Sequence, residues 1–284
     1  MNDHSSSPHY FVPDNSRWPI LTSLALLAVV SGFVMLFNGI TGATAVFVVG
    51  LLFTFYTMYG WWRTVALESE DGKYKEWEDA SFRWSMGWFI FSEVMFFAAF
   101  FGVLFYARVL SIPDLAAVHS KVIWPEFAAI WPTAGPYFTD EFGTIPAFGV
   151  PLANTLILLT SGVTVTWAHW AIKLNNRRQL IIGLALTVLL GVFFLILQAE
   201  EYVHAYSDLN LRLDTGIYGS TFFMLTGFHG MHVTIGTIGL MVILARSVAG
   251  HFTAENHFGF EAVAWYWHFV DVVWLLLFIL VYIV

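Results

Sequence analysis

The sequence predicts an all-α integral membrane protein with seven transmembrane helices, and three observations carry that prediction. Only 11% of the 284 residues are charged while 58% are hydrophobic, whereas soluble domains carry about 25% charged residues. Mean hydropathy is correspondingly high, at +0.70. Seven apolar runs are each long enough to cross roughly 30 Å of hydrocarbon as a helix. They lack the period-two alternation of an outer-membrane barrel strand and are about twice its length, so a helical bundle follows, with its backbone hydrogen bonds satisfied internally. The net charge of −8 has the wrong sign for a nucleic-acid-binding surface. The absence of cysteine removes disulfides, thiolate metal sites and thiol nucleophiles.

Residues 1–16 form a polar N-terminal tail without the basic-then-apolar order of a signal peptide and without the Arg-rich look of a transit sequence. The runs that follow cover about 19–37, 44–66, 84–109, 152–172, 180–203, 216–245 and 258–284. A two-helix unit, 17–67, is set off from a five-helix unit, 84–284, by the acidic connector 68–83, in which the charge run reads as a solvated segment. The loop at about 110–151 holds six of the nine prolines together with Trp124 and Trp131. Fixed φ angles and tryptophans at headgroup depth predict an ordered, non-helical lid there.

Sidedness follows from the basic residues. Arg17, Arg63, Lys73, Lys75, Arg83, Lys173, Arg177, Arg178 and Arg246 fall on the N-terminal side, against Arg108, Lys121 and Arg212 on the other. This bias predicts a cytoplasmic N-terminus and, with an odd number of spans, a periplasmic C-terminus.

Ionisable groups inside spans are expensive, so each calls for a reason. Glu93 sits near the middle of the third span among Phe89, Phe96 and Phe97, and reads either as a proton carrier or as a neutral carboxyl bonded across to another helix. His229 and His232 share one face of the sixth span. His268 and Asp271 repeat that spacing in the seventh, with Glu261 two turns earlier. These five suit helical-bundle metal ligands, but a second Glu-x-x-His is missing; interhelical hydrogen bonds beside Gly227, Gly230, Gly236 and Gly239, or a headgroup pocket, are the other readings. Trp61, Trp62 and Arg63 close the second span and Arg246 the sixth, suiting either phosphate headgroups or ordinary interfacial anchoring. Glu200 and Glu201 read as interfacial, and His169 as a satisfied core histidine.

The segments Trp265–Trp274, Gly227–Val233, Ser92–Phe97, Asn154–Leu158, Thr166–His169, Tyr59–Arg63 and His257–Ala262 resemble the subunit III family of cytochrome c oxidase, in the family's order and from about residue 18 to the end. The resemblance implies a pair of helices and a bundle of five, with phospholipids in a V-shaped cleft between them. It implies no cofactor and no metal in this chain, with haem and copper in partner subunits I and II, so that the polar residues of spans six and seven serve bundle hydrogen bonding. It further implies that Glu93 supports proton uptake into subunit I, and that Trp61, Trp62, Arg63, Glu68 and Arg246 lie near bound phospholipid. The chain would then be a non-redox subunit of a complex that passes electrons from cytochrome c to O2 and pumps protons, and not an enzyme by itself. Its expected location is a bacterial cytoplasmic (inner) membrane. Two departures from the family pattern stand out: His169-Trp170 where a second histidine is usual, and a longer loop over 124–151 with Trp-Pro-Glu in place of Trp-Pro-Pro. The competing readings are subunit III of a quinol oxidase, which the first two helices disfavour, a histidine-ligated membrane metalloenzyme, and a secondary transporter coupled through Glu93.

Overall fold

Each apolar run is a helix in the computed structural model, which describes residues 15–117, 119–138 and 141–283. Most of the polar tail 1–16 lies outside the described residues. Seven helices among them are long and apolar enough to cross a membrane, and no strand occurs among the described residues. We number them α1 (Trp18–Phe37), α2 (Ala43–Glu70), α3 (Glu76–Phe105), α4 (Val150–Lys173), α5 (Arg177–Ser207), α6 (Gly216–Ala249) and α7 (Phe258–Leu277). Helix α3 runs on through a π turn at Tyr106–Ser111 and a further turn at Ile112–Leu115, and α7 through a π turn at Phe278–Ile283.

Most helices outrun their apolar cores because polar residues at the ends are good cappers or helix formers. Pro19 and Pro151 open α1 and α4, where a missing N–H costs nothing. The Asn176 side chain accepts the Gln179 N–H at 3.2 Å to cap α5, and Gly250, at φ 87°, closes α6 in the left-handed conformation. Of the acidic stretch 68–83, only 71–75 lie between helices. Glu68 and Glu70 finish α2, while Glu76, Glu78 and Asp79 form the first turn of α3, where the helix dipole favours carboxylates.

The chain divides into two units, one ending at Phe82 and the other beginning at Arg83. In the first, α1 and α2 form a hairpin pressed together at glycines. A Cβ on Gly32 would strike the Phe47 backbone, and one on Gly50 the backbone of Ala28 and Val29. Small residues thus let the two backbones approach, the usual device where lipid supplies no hydrophobic drive. The Trp18 indole lies against Gly60 and donates to Thr64 Oγ1 at 3.0 Å.

In the second unit α7 is the most enclosed helix, and Trp267 is its central wedge. The indole is fully buried, touches Gly191 of α5 and Gly236 of α6, and donates to Ser161 Oγ of α4 at 2.9 Å. One glycine on each of two helices makes the slot, and one serine satisfies the polar atom. Trp274 repeats the pattern with Thr155 Oγ1 at 2.9 Å. The proline-rich loop is pinned to the start of α6: the N–H groups of Ile217 and Tyr218 donate to the carbonyls of Ala134 and Thr133, each at 3.3 Å, and Trp131 and Phe142 pack on the Tyr218 ring.

Gly236→Val pushes a side chain into Trp267 and is expected to lower stability by about 1–3 kcal/mol. Gly102→Ala, whose methyl meets nothing within 4 Å, stays within about 0.5 kcal/mol of the parent. Unfolding of the detergent-solubilised protein, followed by tryptophan fluorescence, checks both.

Candidate functional site

Two polar centres sit in the five-helix unit, and they differ in kind. The first joins α3 to α6. Glu93 Oε2 lies 2.9 Å from Nε2 of His232, whose Nδ1 lies 2.6 Å from the Phe228 carbonyl. A carbonyl only accepts, so Nδ1 carries a hydrogen. The bond at Nε2 then requires one proton, carried either by the carboxyl or by an imidazolium. Glu93 and His232 therefore share a proton within an aromatic enclosure: Phe96, Phe97, Tyr266 and Phe269 all pack on the His232 ring at centroid distances of 5.0–6.3 Å.

The second centre gathers residues from both ends of the unit's sequence. Arg83 of α3 pairs with Glu261 Oε2 of α7. His169 Nε2 of α4 lies 3.2 Å from Glu261 Oε1, and His257 Nε2, just before α7, stands 3.3 Å from the same oxygen. Arg83 also lies over the Phe258 ring at 5.5 Å, so its guanidinium is held from two directions.

The remaining residues do not converge. His229, although three positions from His232, faces α7 and lies 3.2 Å from the Val270 carbonyl between Phe194 and Trp274. His268 reaches Thr166 Oγ1 of α4 at 3.2 Å and Asp271 Oδ2 at 3.4 Å. His229, His232 and the His268–Asp271 pair thus form three separate contacts. Among the described residues the grouping with metal-ligand spacing is a different one, His169, His257 and Glu261.

In the two-helix unit Trp61, Trp62 and Arg63 are exposed at the end of α2, and among the described residues no carboxylate pairs with Arg63. Glu68 Oε2 accepts the Tyr74 hydroxyl at 2.7 Å. Burial, and then the Glu68 carboxylate, push that hydroxyl well above the usual phenol range, so it remains a donor. Arg246 lies over Phe252 at 4.7 Å.

Glu201 is 2% exposed and accepts the Tyr282 hydroxyl at 2.6 Å, with α5 running on past it to Ser207. One reading of the sequence needs correction. His169 is not enclosed in the core; 23% of its side chain is exposed at the Glu261 centre. Arg83 and His257 were not singled out as site residues. The i,i+4 spacing of His257 and Glu261 was a readable signal, whereas nothing local points from Arg83 to a partner 178 residues away.

The family profile described as cytochrome c oxidase subunit III matches residues 8–284. The chain is 44% identical over 283 residues to cytochrome c oxidase subunit 3 of Drosophila melanogaster, covering 99% of this chain and 98% of that one. It is 44% identical over 282 residues to the protein of that name from Pongo abelii, covering 98% of each, and 43% identical over 274 residues to that of Prototheca wickerhamii, covering 96% of each.

Arg83→Ala strands the buried Glu261 carboxylate. The expected loss is about 3 kcal/mol, the lower end for a broken buried pair, because 34% of the Arg83 side chain meets solvent. Arg83→Lys, which keeps the charge, recovers part of it. The thermal-unfolding midpoint of each variant measures the effect.

Proposed function

The chain belongs to the cytochrome c oxidase subunit III family, and on that premise we propose that it is the non-redox membrane subunit of the oxidase, holding structural lipid and sustaining the proton supply of the subunit that reduces O2. Its partners in this reading are subunits I and II, phospholipids and, through the complex, cytochrome c. Haem and copper belong to those partner subunits. The separate engagement of His229, His232, His268 and Asp271 supports this, since each already bonds a neighbour. We place the chain in a bacterial cytoplasmic membrane with its N-terminal side inward, which the nine-to-three bias of basic residues supports.

The single observation that carries the proton role is the Glu93–His232 bond. A carboxyl and an imidazole that share one proton can exchange its position without leaving an unpaired charge in hydrocarbon, where such a charge is expensive. The pair therefore serves as a proton reserve beside the uptake route. An oxidase starved of protons waits longer with a reactive oxygen intermediate, which damages the catalytic subunit. Glu93→Gln keeps the side chain's shape and removes its exchangeable acid. In the assembled complex it is expected to leave the haem spectrum in place and to cut the number of turnovers before inactivation several-fold. Immediate loss of haem signal, or an unchanged active lifetime, overturns the proposal; repeated oxygen-consumption assays read it out.

The lipid role rests on Arg63, a cation with two flanking tryptophans and no carboxylate partner among the described residues. Glu68 takes part as the acceptor that fixes Tyr74, and Arg246 presents its guanidinium beside Phe252. A basic side chain near an anionic headgroup contributes about 1 kcal/mol, so Arg63→Ala is expected to weaken lipid retention about fivefold. Phosphorus analysis of the delipidated complex checks this.

A further inference from the structure

We propose that His169, His257 and Glu261 form a binding site for a divalent metal ion of the zinc class, with Arg83 as the residue that orients the carboxylate. The argument begins with the tautomer of His257. Its Nδ1 lies 3.1 Å from the Thr253 carbonyl and must donate to it. Metal-binding histidines are commonly oriented in this way, through the ring nitrogen that does not bind the metal. The neutral ring then presents a lone pair at Nε2. That nitrogen is buried, makes no hydrogen bond, and stands 3.3 Å from Glu261 Oε1. Two lone pairs that face one another in a buried site call for a cation between them.

A proton does not meet that demand well. Oε1 lies off the N–H direction of His257, so the pair fails as a hydrogen bond. In a tetrahedral metal site this offset is built in: the line between two ligands departs by about 35° from each ligand-to-metal bond. The separations agree as well. Zinc–nitrogen bonds of about 2.0–2.1 Å give tetrahedral edges of about 3.3–3.4 Å, and the His169–Glu261 and His257–Glu261 separations are 3.2 and 3.3 Å. All three donor atoms lie within 4.8 Å of one another, so the His169–His257 edge closes with a small swing of the partly exposed His169 side chain.

The donor set selects the ion. Two imidazole nitrogens and one carboxylate oxygen suit zinc and disfavour magnesium or calcium, which take oxygen. Arg83 occupies Oε2 and leaves Oε1 as a single donor. Its positive charge also opposes the ion, so the site exchanges with zinc in solution and is not a permanent structural centre. Three protein ligands leave a fourth position to water. The ion would tie the end of α4 to the start of α7.

The test uses the assembled oxidase. Wild type, His257→Ala and His169→Ala complexes are dialysed to equilibrium against zinc sulfate at fixed free zinc and analysed for bound zinc per haem. Wild type is expected to retain zinc that both variants lose, with binding weakened about tenfold or more. The zinc X-ray absorption spectrum of the retained ion should show two imidazole nitrogens and one carboxylate oxygen. Equal zinc in all three complexes, or a retained ion without imidazole in its shell, overturns the proposal. If the His257 variant does not assemble, the spectrum of the wild-type complex and the His169 variant decide it.

Discussion

Hydrocarbon offers no hydrogen bonds, so a polar group that folding carries into the five-helix unit costs free energy unless another residue of that unit meets it. The unit is organised around this constraint. Trp267 and Trp274 bring two indole N–H groups inside, and Ser161 and Thr155 of α4 receive them. Thr164 bonds Thr187 to join α4 and α5, and Tyr202 bonds Thr226 to join α5 and α6, each at 2.7 Å. Each such bond is worth little alone, about 0.6 kcal/mol on average between membrane helices. Together they set the register of each helix, because a rotation that broke one would strand a donor in oil.

Close approach makes those bonds possible. Gly191 and Gly236 form the slot for Trp267, so the largest side chain of the core and its smallest residues depend on each other. Met or Leu in its place would leave part of the slot empty and Ser161 without its indole donor. The aromatic enclosure of His232 follows the same economy: four rings pack on the imidazole and leave only 6% of its side chain exposed.

The two ionisable centres then take different characters from their surroundings. Glu93 and His232 share one proton between two bases, in mid-helix and walled by aromatics, which suits exchange. Glu261 carries a full charge held by Arg83 on one oxygen and faced by two imidazoles on the other, which suits a cation. Position decides this difference: Glu261 stands in the first turn of α7, where the helix dipole favours a carboxylate, while Glu93 has no helix terminus near it.

Much of this was readable without coordinates. Run length and hydropathy are local properties, so the seven helices and their order followed from composition and bilayer thickness. The interiors of the spans were more legible than their ends, since capping by Asn176 or closure at Gly250 depends on single residues. Of the site residues, Glu93 and His232 stood out because an ionisable group in an apolar run is conspicuous. Their pairing did not, because the sequence separates them by 139 positions. His229 and His232, equivalent by spacing, part company only in the folded bundle, where one meets the Val270 carbonyl of α7 and the other Glu93 of α3. The Arg83, His169, His257 and Glu261 centre joins three helices that no periodicity relates. Sequence determined which stretches lie in oil, because each peptide answers to its own transfer free energy; tertiary structure decided which polar atoms meet, because helices pack by shape that is spread over the whole bundle.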